Sequence, residues 1–387
     1  AYFLYAPLLA TETLLVDRDL NPVHTWTSAT LPGSGALLTP GGDLLRAGLA
    51  GNDFAFAGVG GRIERQTWDG AEVWAFNYSE DAHRQHHDFT LLPSGNVLTI
   101  AWEYRSPAEA IAAGRDPATV DMSRGLWPDS LVEIDPRSGA VVWEWHVWDH
   151  LIQDRDPMAP NYGPVADHPE RIDLNYIDSY GEFYFDWNHV NGLDYSPALD
   201  QIVVSALRFS EIWIIDHATT SAEAAGAGGD LLYRWGNPAA YRAAPLSARG
   251  LYHQHDPRWI PPGYPGAGNL TIFNNGLPGE RERSSVVEIT PPLADDGTYA
   301  RDGAAWGPHA PVWEYVGDPP ESFFSPVVGS AQRLADGTTL INDGDTGRFI
   351  IVDPSGAILW ERSHGQGVFR IDGFAEDDPA LAGMGLL

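Results

Sequence analysis

Short apolar runs ending in Asp or Glu, each followed by a Gly- or Pro-bearing turn and a second run that carries a tryptophan, recur along this chain. The copies run from Leu14 to Trp26, Arg62 to Trp74, Ser130 to Trp143, Glu211 to Trp235, Ser284 to Trp313 and Arg348 to Trp360. Runs this short, bounded by turn residues, read as strands. A second hairpin alternates with the first: Ala36 to Ala47, His87 to Trp102, His189 to Ala206, His255 to Asn274 and Ser330 to Asn342. Its turns, such as Pro93-Ser94-Gly95-Asn96, Pro197-Ala198-Leu199-Asp200 and Ala335-Asp336-Gly337, carry the residues that hairpin turns require. Five copies are evident. The sixth is expected to be split, with Val368 to Ile371 joining Tyr2 to Ala6 and Leu14 to Trp26.

Two hairpins make one four-stranded antiparallel sheet, and six such sheets set radially make an all-β, six-bladed β-propeller closed by its N- and C-terminal strands. Closure by both termini protects the last sheet edge. A β-sandwich would also alternate strands and turns, but would not repeat the tryptophan unit six times. No linker separates a second domain, so residues 1–387 read as a single propeller domain. Four connections are long: Glu103 to Pro128, His146 to Asp186, Gly236 to Tyr252 and Pro291 to Pro311. Loops of that length are commonly functional, and all four are expected on one face. Ala218 to Gly229, rich in Ala and Gly, reads as a plain flexible excursion, and helix is expected only at Pro107 to Ala113.

Composition narrows the function. The formal charge is -30, and all 23 basic residues are Arg, so lysine Schiff-base chemistry is excluded. Such an acidic chain repels nucleic acid and anionic membrane surfaces, and its carboxylate density fits a salty habitat, where screening removes much of the repulsion. No apolar run approaches the roughly 20 residues of a membrane helix, so no membrane insertion is expected. With no Cys, disulfides and thiolate metal sites are absent. The chain opens at Ala1 rather than Met, as a mature secreted product or a trimmed chain would, which points to the periplasm or to secretion.

Within the repeat, His87, His189 and His255 each stand at the start of the innermost strand of three consecutive blades, where a ring converges on its axis. Arg208 ends the second strand of the hairpin that His189 begins, and antiparallel pairing returns it to the same face. Two or three imidazoles and a guanidinium are suited to handling an anion. His86 and His253, beside members of this set, are expected to point elsewhere and to be structural. His24, His83, His146, His150, His168, His217, His309 and His364 share no such register and read as surface or loop residues.

Several strings then resemble the bacterial arylsulfotransferase (aryl-sulfate sulfotransferase) family: His86-His87-Asp88-Phe89, Leu92-Pro93-Ser94-Gly95-Asn96, Trp143-Glu144-Trp145-His146-Val147-Trp148-Asp149-His150 and His189-Val190-Asn191. So do Ser210-Glu211-Ile212-Trp213, Tyr233-Arg234-Trp235-Gly236-Asn237-Pro238, His255-Asp256, Gln332-Arg333-Leu334 and Gly347-Arg348-Phe349. The resemblance implies transfer of a sulfuryl group from an aryl sulfate to a phenol without a nucleotide donor, and with no cofactor or metal. It further implies that His255 is transiently sulfated, giving ping-pong kinetics, and that His87, His189, Asn191 and Arg208 handle the sulfuryl group. Neutral imidazole is a good nucleophile near neutral pH, and sulfuryl transfer should resemble phosphoryl transfer in depending on positioning and electrostatics. Trp187, Tyr252 and Phe324 are candidates to stack on a phenolic ring.

Two other readings stay open. Converging imidazoles also suit zinc or copper, as in a metal-dependent lyase or hydrolase with Tyr252 or Tyr180 as its acid, although Arg208 beside a dication would need an anion between them. A non-catalytic binding scaffold is the third reading, since many propellers serve as one.

Overall fold

Strand pairing follows the repeat. A computed structural model of the chain describes residues 1–50, 58–178, 185–382 and 384, and among these lie six four-stranded antiparallel sheets arranged as a β-propeller. The first blade orders Val368–Phe374, Tyr2–Pro7, Glu12–Val16 and Pro22–Thr27, so strands from both ends of the chain close the ring. The second uses Pro32–Leu38, Leu44–Leu49, Gly61–Gln66 and Glu72–Asn77; the third, His83–Leu91, Val97–Glu103, Asp129–Asp135 and Ala140–His146. Val190–Ser196, Gln201–Ala206, Glu211–Asp216 and Tyr233–Trp235 form the fourth, and His255–Trp259, Leu270–Asn274, Ser285–Ile289 and Trp313–Val316 the fifth. Gly329–Arg333, Thr339–Asp343, Arg348–Val352 and Ile358–Ser363 complete the sixth.

The repeated tryptophan is a latch between blades. From the outermost strand of one blade, Trp26 donates its indole N–H to the Thr67 carbonyl of the next, at 3.0 Å. Trp235 reaches the Pro308 carbonyl at 2.7 Å, Trp313 that of Pro354 at 2.9 Å and Trp360 that of Arg18 at 2.9 Å, while Trp143 reaches the Thr219 hydroxyl at 3.4 Å. Each indole thus buries apolar area and satisfies its one polar atom at the same seam. At the axis, carboxylates do the equivalent work. Asp88 Oδ2 accepts from the Leu193 N–H of the next blade at 3.0 Å, Asp194 Oδ2 from Trp259 at 2.8 Å and Asp256 Oδ2 from Ala331 at 2.9 Å. Arg370 then ties Asp88 to Asp256, and Arg258 ties Asp256 to Asp372. These charges are buried but mutually paired, the condition under which burial is tolerated.

Strand parity corrects two of the sequence expectations. The connections Glu103 to Pro128, His146 to Asp186 and Gly236 to Tyr252 leave a second or fourth strand and share the face on which innermost strands begin. Pro291 to Pro311 instead joins the third and fourth strands of the fifth blade and emerges on the opposite face, where Pro291, Leu293 and Tyr299 line a groove with Tyr195, Pro197 and Trp259. Ala218 to Gly229 is not a plain excursion. It carries the helical turn Ser221–Ala224, capped reciprocally by Thr220 and Glu223, and its Gly229 carbonyl accepts from the Trp145 indole at 2.7 Å. Helix elsewhere is short, with Pro107–Ala112 where expected.

Candidate active site

Innermost strands of the third, fourth and fifth blades carry the three histidines, but not at one register. His87 is the fifth residue of His83–Leu91, His189 immediately precedes Val190–Ser196, and His255 opens His255–Trp259. Pairing of each strand with its neighbour shifts at this level, between Gln85 and Phe89, between Val190 and Leu193 and between His255 and Arg258. Such bulges bend a strand and re-aim its side chains. His87, His189 and His253 adopt left-handed φ values of 49°, 49° and 51°. That conformation is uncommon for residues other than Gly and costs of order 1–3 kcal/mol each, and it gathers at functional sites.

The bulges bring the rings together. The His87 and His189 centroids lie 4.7 Å apart with their planes near perpendicular, and Phe369 from the closing strand sits 6.2 Å from His87 and 6.3 Å from His255. Gly58, at φ +78°, packs against His87: its carbonyl accepts the His87 N–H at 2.8 Å, and a Cβ there would fall 1.9 Å from His87 Nε2. A side chain at 58 would displace the ring.

His255 is fixed in one tautomer. Its Nδ1 lies 2.8 Å from Asn275 Oδ1, and Asn275 Nδ2 is committed to the carbonyls of Ser325 at 2.7 Å and Val328 at 3.2 Å. The amide can therefore offer only its oxygen, so Nδ1 carries the proton and Nε2 keeps its lone pair. Burial pushes the His255 imidazole down to about 4, against the bond to Asn275, and the neighbouring His189 adds to the fall. His255 is thus a neutral imidazole at neutral pH. Burial also holds His86 and His87 well below the usual imidazole range, with the charge of His189 acting in the same direction.

His189 is oriented by Asp186, whose Oδ2 lies 2.5 Å from Nδ1 in a buried contact. Arg208 lies just past the second strand of the fourth blade, on the turn Leu207–Phe209, where the Leu207 N–H donates to the His189 carbonyl at 3.2 Å. Its Nη1 is 3.7 Å from Asp178 Oδ2, and the same oxygen is 2.9 Å from His253 Nε2. Asp178 thus links the guanidinium to His253, whose imidazole is lowered first by burial. Asn191 is fully buried, and its amide donates to the Gln254 carbonyl at 3.0 Å, clamping the backbone that leads into His255. Sequence reasoning missed Asp186, Asp178 and Asn275; of these only Asp186, three residues before His189, left a local signal.

The aromatic candidates divide. Trp187 is buried in the core shared by the third and fourth blades, with its indole N–H donating to the Tyr176 carbonyl at 3.1 Å. Tyr252 is half-buried between two guanidinium groups, Arg249 at 4.2 Å and Arg281 at 5.3 Å, and Phe324 is half-buried. Tyr180 lies outside the described residues. Among the histidines expected to be peripheral, His253 instead sits within the site. His86 stacks on Trp102 at 3.7 Å and touches His87. His150 is fully buried against Asp230, and His217 bridges Glu133 and Asp200, so both are structural rather than surface groups. Among the described residues, no group of three or more His, Cys, Asp or Glu side chains is arranged to hold a metal ion, and no helix is long and apolar enough to cross a membrane.

The depressed His255 value has a consequence for stability. A histidine that folds into its neutral form contributes fully above its ordinary value of 6.5, and the contribution is lost as pH falls from there through about 4. The difference amounts to about 3 kcal/mol. Asp194, raised to about 6 by burial, acts in the opposite sense, so the clean measurement is a comparison of two proteins. Between neutral pH and pH near 4, denaturant unfolding should cost the wild type about 3 kcal/mol more than His255→Gln; equal losses would show that His255 is not held neutral.

Comparison with known proteins adds the family. A family model described as "Arylsulfotransferase (ASST)" matches residues 68–372, whereas no curated protein matches the chain significantly. Among solved structures, a protein of unknown function from Bacteroides caccae is 12% identical with a TM-score of 0.52, covering 96% of this chain and 97% of its own, which supports the fold. Virginiamycin B lyase from Staphylococcus aureus is 13% identical with a TM-score of 0.38, covering 85% of this chain and 69% of its own. With the match running from the last strand of the second blade into the closing strand Val368–Phe374, over the strands that carry the histidine cluster, the chain belongs to the arylsulfotransferase family.

Proposed function

We propose that this protein transfers a sulfuryl group from an aryl sulfate to a phenolic acceptor, without a nucleotide donor, through a covalent sulfate on His255. The observation that carries the reading is the locked tautomer of His255, which leaves a lone pair on Nε2 of a buried, neutral imidazole. In the first half-reaction this lone pair attacks sulfur, the N–S bond forms, the S–O bond to the aryl group breaks and the aryl group departs as its phenoxide. The sulfated ring keeps its Nδ1–H on Asn275 Oδ1, which offsets the positive charge placed on the imidazole. In the second half-reaction the oxygen of an acceptor phenol attacks the same sulfur and His255 regains its lone pair.

The transferring group spreads negative charge over its peripheral oxygens, as in phosphoryl transfer. Arg208 and the Nε2–H of His189, the latter held by Asp186, are the donors suited to those oxygens. Tyr252, flanked by Arg249 and Arg281, which are themselves paired with Glu280 and Glu314, offers an aromatic face to an aryl donor.

The test is an initial-rate study with 4-nitrophenyl sulfate as donor and phenol as acceptor. Parallel lines in double-reciprocal plots, with phenyl sulfate formed in step with nitrophenol release, are the expected result. Intersecting lines would remove the covalent route, and no transfer at either low or high salt would remove the activity.

A further inference from the structure

One chain of buried polar contacts behind the rings has no part in that scheme. His86 Nδ1 lies 2.8 Å from His87 Nδ1. Between two ring nitrogens at that distance only one carries the hydrogen, so the tautomers of the two rings are tied together. On its far side, His86 Nε2 is 2.8 Å from Asp129 Oδ1. The carboxyl sits off the ideal line of the ring N–H, yet neither atom has another hydrogen-bonding partner among the described residues. All three side chains are 4% exposed or less, and Trp102 stacked on His86 closes the flank. Asp129 is anchored at its other oxygen, Oδ2, by the Val190 N–H at 3.0 Å.

We propose that Asp129, His86 and His87 form a proton relay that supplies the phenolic proton to the leaving group and takes it back from the acceptor. This rests on the sulfuryl-transfer reading of the same site. In the loaded state, the Asp129 carboxylic acid donates to His86 Nε2, His86 Nδ1–H donates to His87 Nδ1, and His87 Nε2 carries a hydrogen. As the S–O bond of the donor breaks, that hydrogen passes to the departing phenoxide. In the same concerted shift His86 hands its Nδ1 hydrogen to His87 Nδ1, and the acid proton of Asp129 moves to His86 Nε2. The relay ends with a carboxylate and two neutral rings. The acceptor phenol reverses every shift as its oxygen bonds to sulfur. In the concerted shift neither a buried imidazolium nor an imidazolate forms.

The surroundings agree. Burial raises the Asp129 carboxyl well above its usual range, with the charges of Asp186 and Glu103 adding to the rise against the Val190 N–H, which is the direction that favours the loaded string. His87 faces His189 and His255 on the site side, and Gly58, which has no side chain, packs against its Nε2.

Asp129→Asn tests the proposal. The Val190 N–H claims the amide oxygen, which turns the amide nitrogen toward His86 Nε2 and freezes the string loaded, able to donate but unable to release. With a series of aryl sulfates, the loss in kcat/KM should be about tenfold or less for 4-nitrophenol as leaving group, and should rise to about 10²- to 10⁴-fold for unsubstituted phenol. His86→Phe, which keeps a ring on Trp102 and removes both nitrogens, should show the same steepening and guards against a folding defect in the first variant. A uniform loss across the series, or none, overturns the relay. Nitrogen NMR of histidine-labelled full-length protein reads the relay independently of turnover. The ring nitrogens of His86 and His87 should exchange tautomers in a single coupled step in the wild type, and should hold the loaded pattern at every pH in Asp129→Asn. Independent titration of the two rings would overturn the relay even in an active enzyme, whereas coupled switching in a protein without sulfuryl transfer would count against the proposed function alone.

Discussion

Replacing His255 with alanine is expected to lower kcat for aryl-sulfate turnover by about 10⁴-fold or more. The nucleophile is the one group for which neither Arg208 nor His189 can substitute, because both donate hydrogen bonds and neither presents a lone pair to sulfur. The alanine variant also leaves Asn275 Oδ1 buried without its partner, at a cost of about 1–3 kcal/mol in stability. His255→Gln separates the two effects: its amide can still reach Asn275 while offering no competent nucleophile. Unfolding midpoints should therefore fall more in the alanine variant than in the glutamine variant, while both lose turnover alike. Substantial activity in either variant would require another nucleophile.

Second in size is the effect of Asp186→Asn. In the proposed mechanism the contact of 2.5 Å between Asp186 Oδ2 and His189 Nδ1 both orients the ring and stabilises positive charge on it as negative charge gathers on the sulfuryl oxygens. An amide keeps the shape and removes the charge. The expected result is a fall in kcat of about 10²- to 10⁴-fold with much less change in KM, because the interaction strengthens only as the transition state forms. Asp186→Glu should recover part of the loss. A change confined to KM, or a kcat within a fewfold of wild type, would make Asp186 a purely structural residue.

The two predictions rest on partners that were unequally visible in the sequence. The propeller was legible because its repeat is physical: five of the six repeated tryptophans, Trp26, Trp143, Trp235, Trp313 and Trp360, close a seam with the next blade, so the same residue recurs at the same place around the ring. The histidines and Arg208 were legible from their motifs, although the bulges that aim them were not. Asn275, Asp178 and Asp129 were invisible because they lie on other strands or connections, distant in sequence from the histidines they touch, and matter only through burial and contact. Asp256 shows the converse. Its place beside His255 suggests a catalytic pair, yet its carboxylate braces the axis through Arg258, Arg370 and the Ala331 N–H. The misplaced connection Pro291 to Pro311 has a simpler cause: loop length was weighed where strand parity decides the face.

The same unequal visibility bears on charge. Under the proposed function a protein of net charge -30 has to admit an anionic donor, yet Arg249 and Arg281 around Tyr252 and Arg208 on the turn after the second strand of the fourth blade are each paired with a carboxylate, Glu280, Glu314 and Asp178. Salt, with a Debye length of about 10 Å at moderate ionic strength, then has to screen the acidic surface for the donor to approach.

Covalent capture tests the central assignment most directly. Protein mixed with an aryl sulfate in the absence of acceptor, denatured rapidly at alkaline pH to preserve a nitrogen–sulfur bond, and digested should show one added sulfuryl group on His255 in the peptide containing Tyr252 to Arg258. Addition of phenol before denaturation should discharge it. Turnover with no adduct under these conditions, or an adduct on another residue that phenol discharges at the catalytic rate, would contradict the assignment of His255 as the nucleophile.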